Sequence, residues 1–243
     1  MTTTNIQKKG RSKKYLSNLA KVQELQTRLG SSLPEVKEAV QLLFDLDQPK
    51  FENGASVELH VKLNINPTKS DQLVRSSVVL PHGTGKKIRI AAFVNPEKEA
   101  EAKKAGADVV GSDELIDQIK NSGKVDFDIA IAQPEMMKKL PVIARLLGTA
   151  GVMPNPKTGT VGDDIQTMIK LIRSGKVDFR NDKSGNIHIP CGKINRDFNV
   201  DTITENVLAA LEAVEKAKPE AIKKKFVLSA HLSSTHSPSI KIR

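Results

Sequence analysis

Between residues 87 and 132 the chain passes repeatedly from a short apolar run to a charged helical stretch and back, and this alternation restricts the fold more than any other feature. Lys87-Ile-Arg-Ile-Ala-Ala-Phe-Val94 reads as a strand, 96–105 as a charged helix and Asp108-Val-Val110 as a short strand. Ser112 caps a further helix through Ile119, and Phe127-Asp-Ile-Ala-Ile-Ala132 is a third strand. Strands joined through helices run parallel, because a parallel connection needs a long crossover, and a parallel sheet is covered on both faces. The middle of the chain is therefore expected to be a Rossmann-like α/β domain. It continues through helical residues 134–147, a loop over 148–161, and a helix over 163–173 with Ile165, Met168, Ile169 and Ile172 inward.

The loop Gly148-Thr-Ala-Gly-Val-Met-Pro-Asn-Pro-Lys-Thr-Gly-Thr-Val161 is expected to interrupt regular structure. Pro154 and Pro156 push Met153 and Asn155 toward extended geometry, while Gly148, Gly151 and Gly159 supply turns. Lys157 and Thr158 are presented outward from it, either as a ligand contact or as part of an ordinary surface loop.

The flanking segments have a different character. Tyr15, Leu16, Leu19, Val22, Leu25 and Leu29 recur at helical spacing up to Gly30. Pro34 opens a second helix with Val36, Ala39, Val40, Leu43 and Phe44 on one face, stopping near Asp47. Val57-Glu-Leu-His-Val-Lys-Leu63 alternates strictly, so His60 and Lys62 point outward from a half-buried strand. Beyond Gly175, Val177 and Phe179 followed by Ile187 and Ile189 predict a hairpin turning at Asn181-Asp-Lys-Ser-Gly185. An amphipathic helix then runs from Asp201 or Thr202 with Val207, Leu208, Leu211 and Val214 on one face, before a last strand over Phe226–Leu232. Neither flank is large enough to fold comfortably alone. The expected architecture is a discontinuous two-domain protein: an α+β domain from residues 1–83 and 176–243, with the α/β domain of 84–175 inserted.

Charge identifies a class of partner. The 243 residues carry a net charge of +10, which favours a polyanion over a neutral metabolite. Residues 84–175 hold 14 basic against 12 acidic groups and the remainder 24 against 16, so the terminal domain carries most of the excess. Residues 1–14, with Lys8, Lys9, Arg11, Lys13 and Lys14 and no acid, read as a flexible basic arm. No secretory signal and no run of about 20 apolar residues is present, so a soluble, cytoplasmic protein without a membrane partner is expected. Cys191 is the single cysteine and reads as a small filler residue.

A catalytic reading is poorly supported. Pro81-His-Gly-Thr-Gly-Lys86 resembles a phosphate-cradling loop, but Leu80 stands where the first glycine belongs, and Lys87 stands where a magnesium-binding hydroxyl belongs. No GxGxxG follows the first middle strand. The histidines at 60, 82, 188, 231 and 236 lack the spacing that puts two metal ligands on one helix turn. No metal, cofactor or catalytic residue is expected. An α/β enzyme acting on a phosphorylated metabolite is the alternative. Hydroxyls at Ser229, Ser233, Ser234 and Thr235, with Phe51 beside Lys50, suit RNA better, although Phe51 is equally open to core burial.

Leu80-Pro-His-Gly-Thr-Gly-Lys86, Gly106-Ala-Asp-Val-Val-Gly111, Asp126-Phe-Asp128, Met153-Pro-Asn-Pro-Lys-Thr-Gly-Thr-Val161 and the Ser-Ser-Thr ending closely resemble the bacterial ribosomal protein L-one family. The resemblance runs collinearly from about residue 12 onward. It implies a non-enzymatic protein that binds large-subunit ribosomal RNA, forms the mobile stalk of the ribosome near the exit-site transfer RNA and assists its release. It also implies repression of translation through binding of its own messenger RNA, and a monomer off the ribosome. By match, the RNA contacts are Lys50, Phe51, Asp182, Lys183, Ser184, Ser229 and Thr235, joined by His236 and Ser237. Lys157 and Thr158 make secondary contacts or hold the loop's shape. Gly83, Thr84, Gly175 and Lys176 mark the hinge.

Three departures from the family pattern stand out. Thr149-Ala150 replaces Pro-Arg, two extra residues fall within Asn53-Gly54-Ala55-Ser56, and Thr235-His236-Ser237 replaces Thr-Met-Gly. Ser237 is expected to resist the positive φ open to glycine, and His236 to compensate by stacking or by charging at lower pH.

Overall fold

A computed structural model describes residues 12–52, 54–195 and 197–243. Residues 1–11 of the basic arm and Asn53 lie outside the described residues. In chain order the helices are α1 (Lys13–Leu29), α2 (Val36–Asp45), α3 (Glu99–Ala105), α4 (Asp113–Ser122), α5 (Ala144–Ala150), α6 (Ile165–Arg173) and α7 (Val200–Lys216). The strands are β1 (Ala55–Leu63), β2 (Arg75–Val79), β3 (Ile90–Phe93), β4 (Val109–Gly111), β5 (Ile129–Ala132), β6 (Lys176–Arg180), β7 (Asn186–Ile194), β8 (Val227–Ser234) and β9 (Ile240–Lys241). The fold is α/β and α+β. The chain divides into a terminal unit, up to Val74 and from Arg180 onward, and an inserted unit, Arg75–Phe179.

In the terminal unit an antiparallel sheet has the order β7-β1-β8-β9. Period-two alternation along β1 buries Val57, Leu59, Val61 and Leu63 and leaves Glu58, His60 and Lys62 on the other face. On the buried side α2 and α7 pack on each other and on β8 and β7. They contribute Ala39, Val40 and Leu43, and Ile203, Val207, Ala210 and Val214, each fully buried. Each such aliphatic side chain larger than alanine contributes about 1.5–3 kcal/mol. Leu208, expected inward, is exposed, and Asn206 takes the inward place, because a bulge in β7 leaves the Cys191 carbonyl for the Asn206 amide to donate to at 2.8 Å. Burial pushes the Cys191 thiol up to about 12, so it stays protonated.

α1 begins at Lys13, with the Ser12 hydroxyl accepting from the Tyr15 N–H at 3.2 Å, so Lys13 and Lys14 belong to a helix rather than to the arm. α7 starts with a capping box in which Asn199 and Thr202 bond each other's backbone N–H at 2.8 and 3.1 Å.

The inserted unit contains a parallel sheet of order β4-β3-β5. Every residue of β3 is buried, since the two faces are separately covered. Ala91, Phe93, Ala130 and Ala132 meet Leu115, Ile116 and Ile119 of α4 together with Met136, Leu140, Ile143 and Leu147. Ile90, Ala92, Val94 and Ile131 meet Ala102 of α3 and Ile165, Ile169 and Ile172 of α6. The stretch 134–147, expected as one helix, is broken into two 3-10 turns before α5, with Pro141 at the start of the second. α5 in turn runs into the loop as far as Ala150, ending at Gly151 with φ +74°.

The expected hairpin over 177–189 is not formed. β6 pairs with β2 in a two-stranded sheet, whereas β7 pairs with β1. Leu80 N–H donates to the Gly175 carbonyl at 3.1 Å, so the β2–β6 ribbon continues into the inserted unit, and the chain crosses between units at Val74–Arg75 and Phe179–Arg180 rather than at 83/84 and 175/176.

Candidate nucleic-acid interface

Cross-strand register builds one polar sheet face in the terminal unit. Lys62 stands opposite Ser229, His60 opposite His231, and Glu58 opposite Ser233, while Asn186 and His188 of β7 flank Lys62 and His60 on the other side. Ser56 and Thr235 close the row, with the Thr235 N–H donating to the Ser56 carbonyl at 3.0 Å. Six residue steps along β1 lead from Ser56 to Lys62, about 20 Å of strand. The expected site residues fall at the two ends of this row.

At the first end, Asn18 of α1 clamps the backbone of Asp47 in both directions, at 2.9 and 3.1 Å. Gln48 is fixed next, donating to the Leu43 carbonyl at 2.5 Å and accepting from the Ser234 hydroxyl at 3.1 Å. These bonds deliver Lys50 and Phe51, both exposed, to the edge of the sheet. Phe51 is 49% exposed, which favours a stacking platform over core, and its ring centroid lies 6.1 Å from that of His236. Of the four residues that include the two extra ones, Ala55 and Ser56 belong to β1.

Thr235, His236 and Ser237 form a turn in which the Ser237 N–H donates to the Ser234 carbonyl at 2.9 Å. The positive φ falls on His236, at +64°, as the third position of a type II turn needs, so Ser237 has none to resist. The Ser237 hydroxyl instead braces the turn, accepting from the Ser234 N–H at 2.8 Å and donating to the Pro238 carbonyl at 3.1 Å. The Thr235 hydroxyl accepts from the Ser56 N–H at 3.1 Å, which fixes it on the rim. Ser12, Tyr15, His236 and Ser237 line a cleft of about 340 Å³ beside it.

At the other end, Asp182 organises its own turn. Its carboxylate accepts from the N–H groups of Asn186 at 2.7 Å and Ser184 at 2.8 Å, and the Asn186 N–H in particular holds the carboxyl below the ordinary carboxylate range. Asp182 thus shapes the turn, and Lys183 and Ser184 are the exposed groups it presents. The Ser184 carbonyl is taken by Lys62, while Ser229, half-buried, stands between this turn and the middle of the row.

In the middle, Ser233 was anticipated as an RNA-facing hydroxyl, but the histidines beside it were not. His60 on β1 meets His188 on β7, with Nδ1 to Nδ1 at 2.8 Å, and its Nε2 lies 2.9 Å from the Ser233 hydroxyl on β8. Burial holds the His60 imidazole below its ordinary value, helped by His188, and burial does the same to His231. These histidines are far apart in sequence and adjacent only through strand register.

Residues 37–238 match the Ribosomal protein L1p/L10e family. The chain belongs to that family. It is 46% identical over 207 residues to the large ribosomal subunit protein uL1 of Kosmotoga olearia, covering 85% of this chain and 87% of that one. It is 45% identical over 208 residues to the protein of the same name from Thermosipho melanesiensis, covering 86% and 88%. The corresponding protein of Fervidobacterium nodosum is 46% identical over 205 residues, covering 84% and 86%. The family is one of ribosomal proteins, not enzymes.

The residues that resembled catalytic machinery have structural employment. Lys86 of the phosphate-loop look-alike is ion-paired to Asp128 at 2.5 Å. Among the described residues no group of three or more His, Cys, Asp and Glu side chains could hold a metal ion. In the loop of the inserted unit, the Asn155 side chain accepts from the Lys157 N–H at 2.9 Å and the Thr158 hydroxyl donates to the Asn155 carbonyl at 3.2 Å, leaving the Lys157 side chain exposed. Lys176 donates to the Thr158 carbonyl, so this hinge candidate is tied to the loop. Gly83, φ +64°, and Gly175, φ +100°, lie against each other within the inserted unit: a Cβ on Gly175 would sit 2.6 Å from the Gly83 Cα. Thr84 follows, half-buried. Thr149 back-bonds to Arg145 and Leu146 carbonyls at 3.0 Å in the last turn of α5.

Proposed function

We propose that the chain is a structural constituent of the large ribosomal subunit that grips a folded element of large-subunit ribosomal RNA with the polar sheet face of its terminal unit. The observation that carries this reading is the continuous row of half-buried lysine, hydroxyl and imidazole groups between the exposed pairs Phe51–His236 and Lys183–Ser184, in a chain of net charge +10. Phe51 supplies a ring for stacking, the hydroxyls bond phosphate and ribose oxygens, and Lys50, Lys62 and Lys183 neutralise phosphates. On this reading the protein resides on the ribosome in the cytoplasm, contributes to the mobile stalk near the exit site and assists release of deacylated transfer RNA. It also represses its own synthesis by binding its messenger through the same face, and is monomeric when free.

The test is binding to a stem-loop fragment of the large-subunit stalk RNA against a scrambled hairpin of equal charge at fixed salt. A preference of at least about 100-fold is expected, with the leader of the protein's own messenger competing for the same face. Replacing residues 75–179 by a short linker should leave most of that affinity. Equal binding to both RNAs would reduce the protein to a nonspecific basic coat.

A further inference from the structure

The histidine pair at the centre of the polar face obeys a strict proton count. The 2.8 Å separation of His60 Nδ1 and His188 Nδ1 admits one hydrogen between them. With both rings neutral, two arrangements satisfy it. In one, His60 donates from Nδ1 and its bare Nε2 accepts the Ser233 hydroxyl proton. In the other, His188 donates, and His60 Nε2–H donates to Ser233. When the pair carries one positive charge, three hydrogens occupy four nitrogens and one of the two Nδ1 atoms is still bare, so both Nε2 atoms are protonated. His60 Nε2–H then donates to the Ser233 oxygen 2.9 Å away, and the Ser233 O–H is freed to point at a ligand. His188 Nε2–H faces the Asp182 carboxylate at 3.7 Å. A second positive charge would set two N–H groups against each other and open the contact.

The surrounding charges set the background for this one proton. On β1 the row is flanked by Glu58, 3.8 Å from His60 Nε2, and by Lys62; from the turn before β7 comes Asp182; on β7 Lys193 stands opposite Ser56; on β8 stands His231, with Lys241 of β9 opposite it. With Lys50 and Lys183 at its ends, the row is already basic where it begins and finishes. The proton taken up by the histidine pair adds a positive charge at its centre, between Glu58 and Asp182.

We propose that His60, His188 and Ser233 form an RNA-phosphate contact that engages by taking up one proton, which both charges the row and locks the Ser233 hydroxyl outward as a donor, a position it has in only one of the two neutral arrangements. The charge is shared by a pair that lies between the Glu58 carboxylate, 3.8 Å from His60 Nε2, and the Asp182 carboxylate, 3.7 Å from His188 Nε2. This rests on the RNA-binding reading above but asks more of it: affinity must rise as pH falls through the histidine range.

The experiment measures affinity of the full chain for the stalk stem-loop from pH 8.5 to 5.5 at constant ionic strength. Proton uptake on binding is read in parallel by calorimetry in buffers of different ionisation enthalpy, and the imidazole nitrogens of the free protein are titrated by NMR. Affinity should strengthen by up to about 10-fold per pH unit, the linkage of a single proton, with matching uptake. The two rings should titrate as a coupled pair. His188→Gln should abolish the pH-dependent part, Ser233→Ala should weaken binding most on the acid side, and His236→Gln, outside the row, should leave the slope in place. Strong, selective binding with a flat pH profile, or with the same slope in His188→Gln, overturns this inference and leaves the functional reading standing. Rings that titrate independently in the free protein overturn it too. No selective binding at any pH overturns both. The wild-type profile decides even if a variant fails to fold.

Discussion

Along β3 of the inserted unit all four residues are buried, whereas along β1 of the terminal unit burial alternates from Ala55 to Leu63. Helices cover both faces of the first sheet and one face of the second, and only the second leaves backbone-anchored polar groups in fixed register for a ligand. The inserted unit has the topology of a nucleotide-binding domain, yet its sheet face offers no surface and its one phosphate-loop look-alike is committed to Asp128. On the proposed reading the RNA site lies on the face that helices leave uncovered, not on the more familiar fold.

The comparison can be broken most sharply by cavities. Ile131→Ala in the covered sheet should cost about 2–5 kcal/mol in denaturant unfolding, whereas His231→Ala on the open face should change stability by no more than about 0.5 kcal/mol. Similar losses at both sites would mean that the open face is not open. Salt titration sharpens the same contrast. Lys183→Ala should lower the slope of log affinity against log salt by about 0.7–0.9, and Lys157→Ala in the inserted unit by less; equal slopes would spread the RNA footprint over both units. Smaller is the effect of His236→Gly, which removes a left-handed non-glycine residue and should stabilise the terminal unit by about 1 kcal/mol in thermal unfolding, while weakening RNA binding through loss of the ring beside Phe51. Smallest is Asp182→Asn. The Asp182 carboxyl is held low in the folded state, so its stabilisation is present above its unfolded value near pH 4 and disappears as pH falls through the folded value. The variant should therefore show a flatter acid-side stability profile, and an unchanged one would strip Asp182 of its role in the turn.

Local periodicity carried much of the fold. Strict alternation over 57–63 defines β1 because a half-buried strand repeats every two residues, and the βα alternation over 87–132 defines the parallel sheet. Pairing was less legible. Val177, Phe179, Ile187 and Ile189 around a Gly-containing turn look like a hairpin, but β6 takes β2 as its neighbour, a choice made about a hundred residues away. On α7 the two leucines at 208 and 211 misplaced the face, since a buried asparagine is read as inward only once the Cys191 bulge is known. The ends of the site at Phe51 and Lys183 carried a recognisable signature, while the His60–His188–Ser233 row had none, because its members sit 128 and 173 residues apart in sequence.

Val74 and Asn181 exchange two hydrogen bonds, Asn181 N–H to the Val74 carbonyl at 3.0 Å and Val74 N–H to the Asn181 side chain at 2.8 Å. The exit and return of the chain are thereby stapled within the terminal unit, so that unit experiences the whole insertion as a single closed loop. An unstructured loop of that length would carry about 4 kcal/mol of length-dependent closure entropy. A segment that brings its own ends together, as Leu80 and Gly175 do, removes most of that cost in advance, and so an insertion of this length can be accommodated at the expense of two chain crossings.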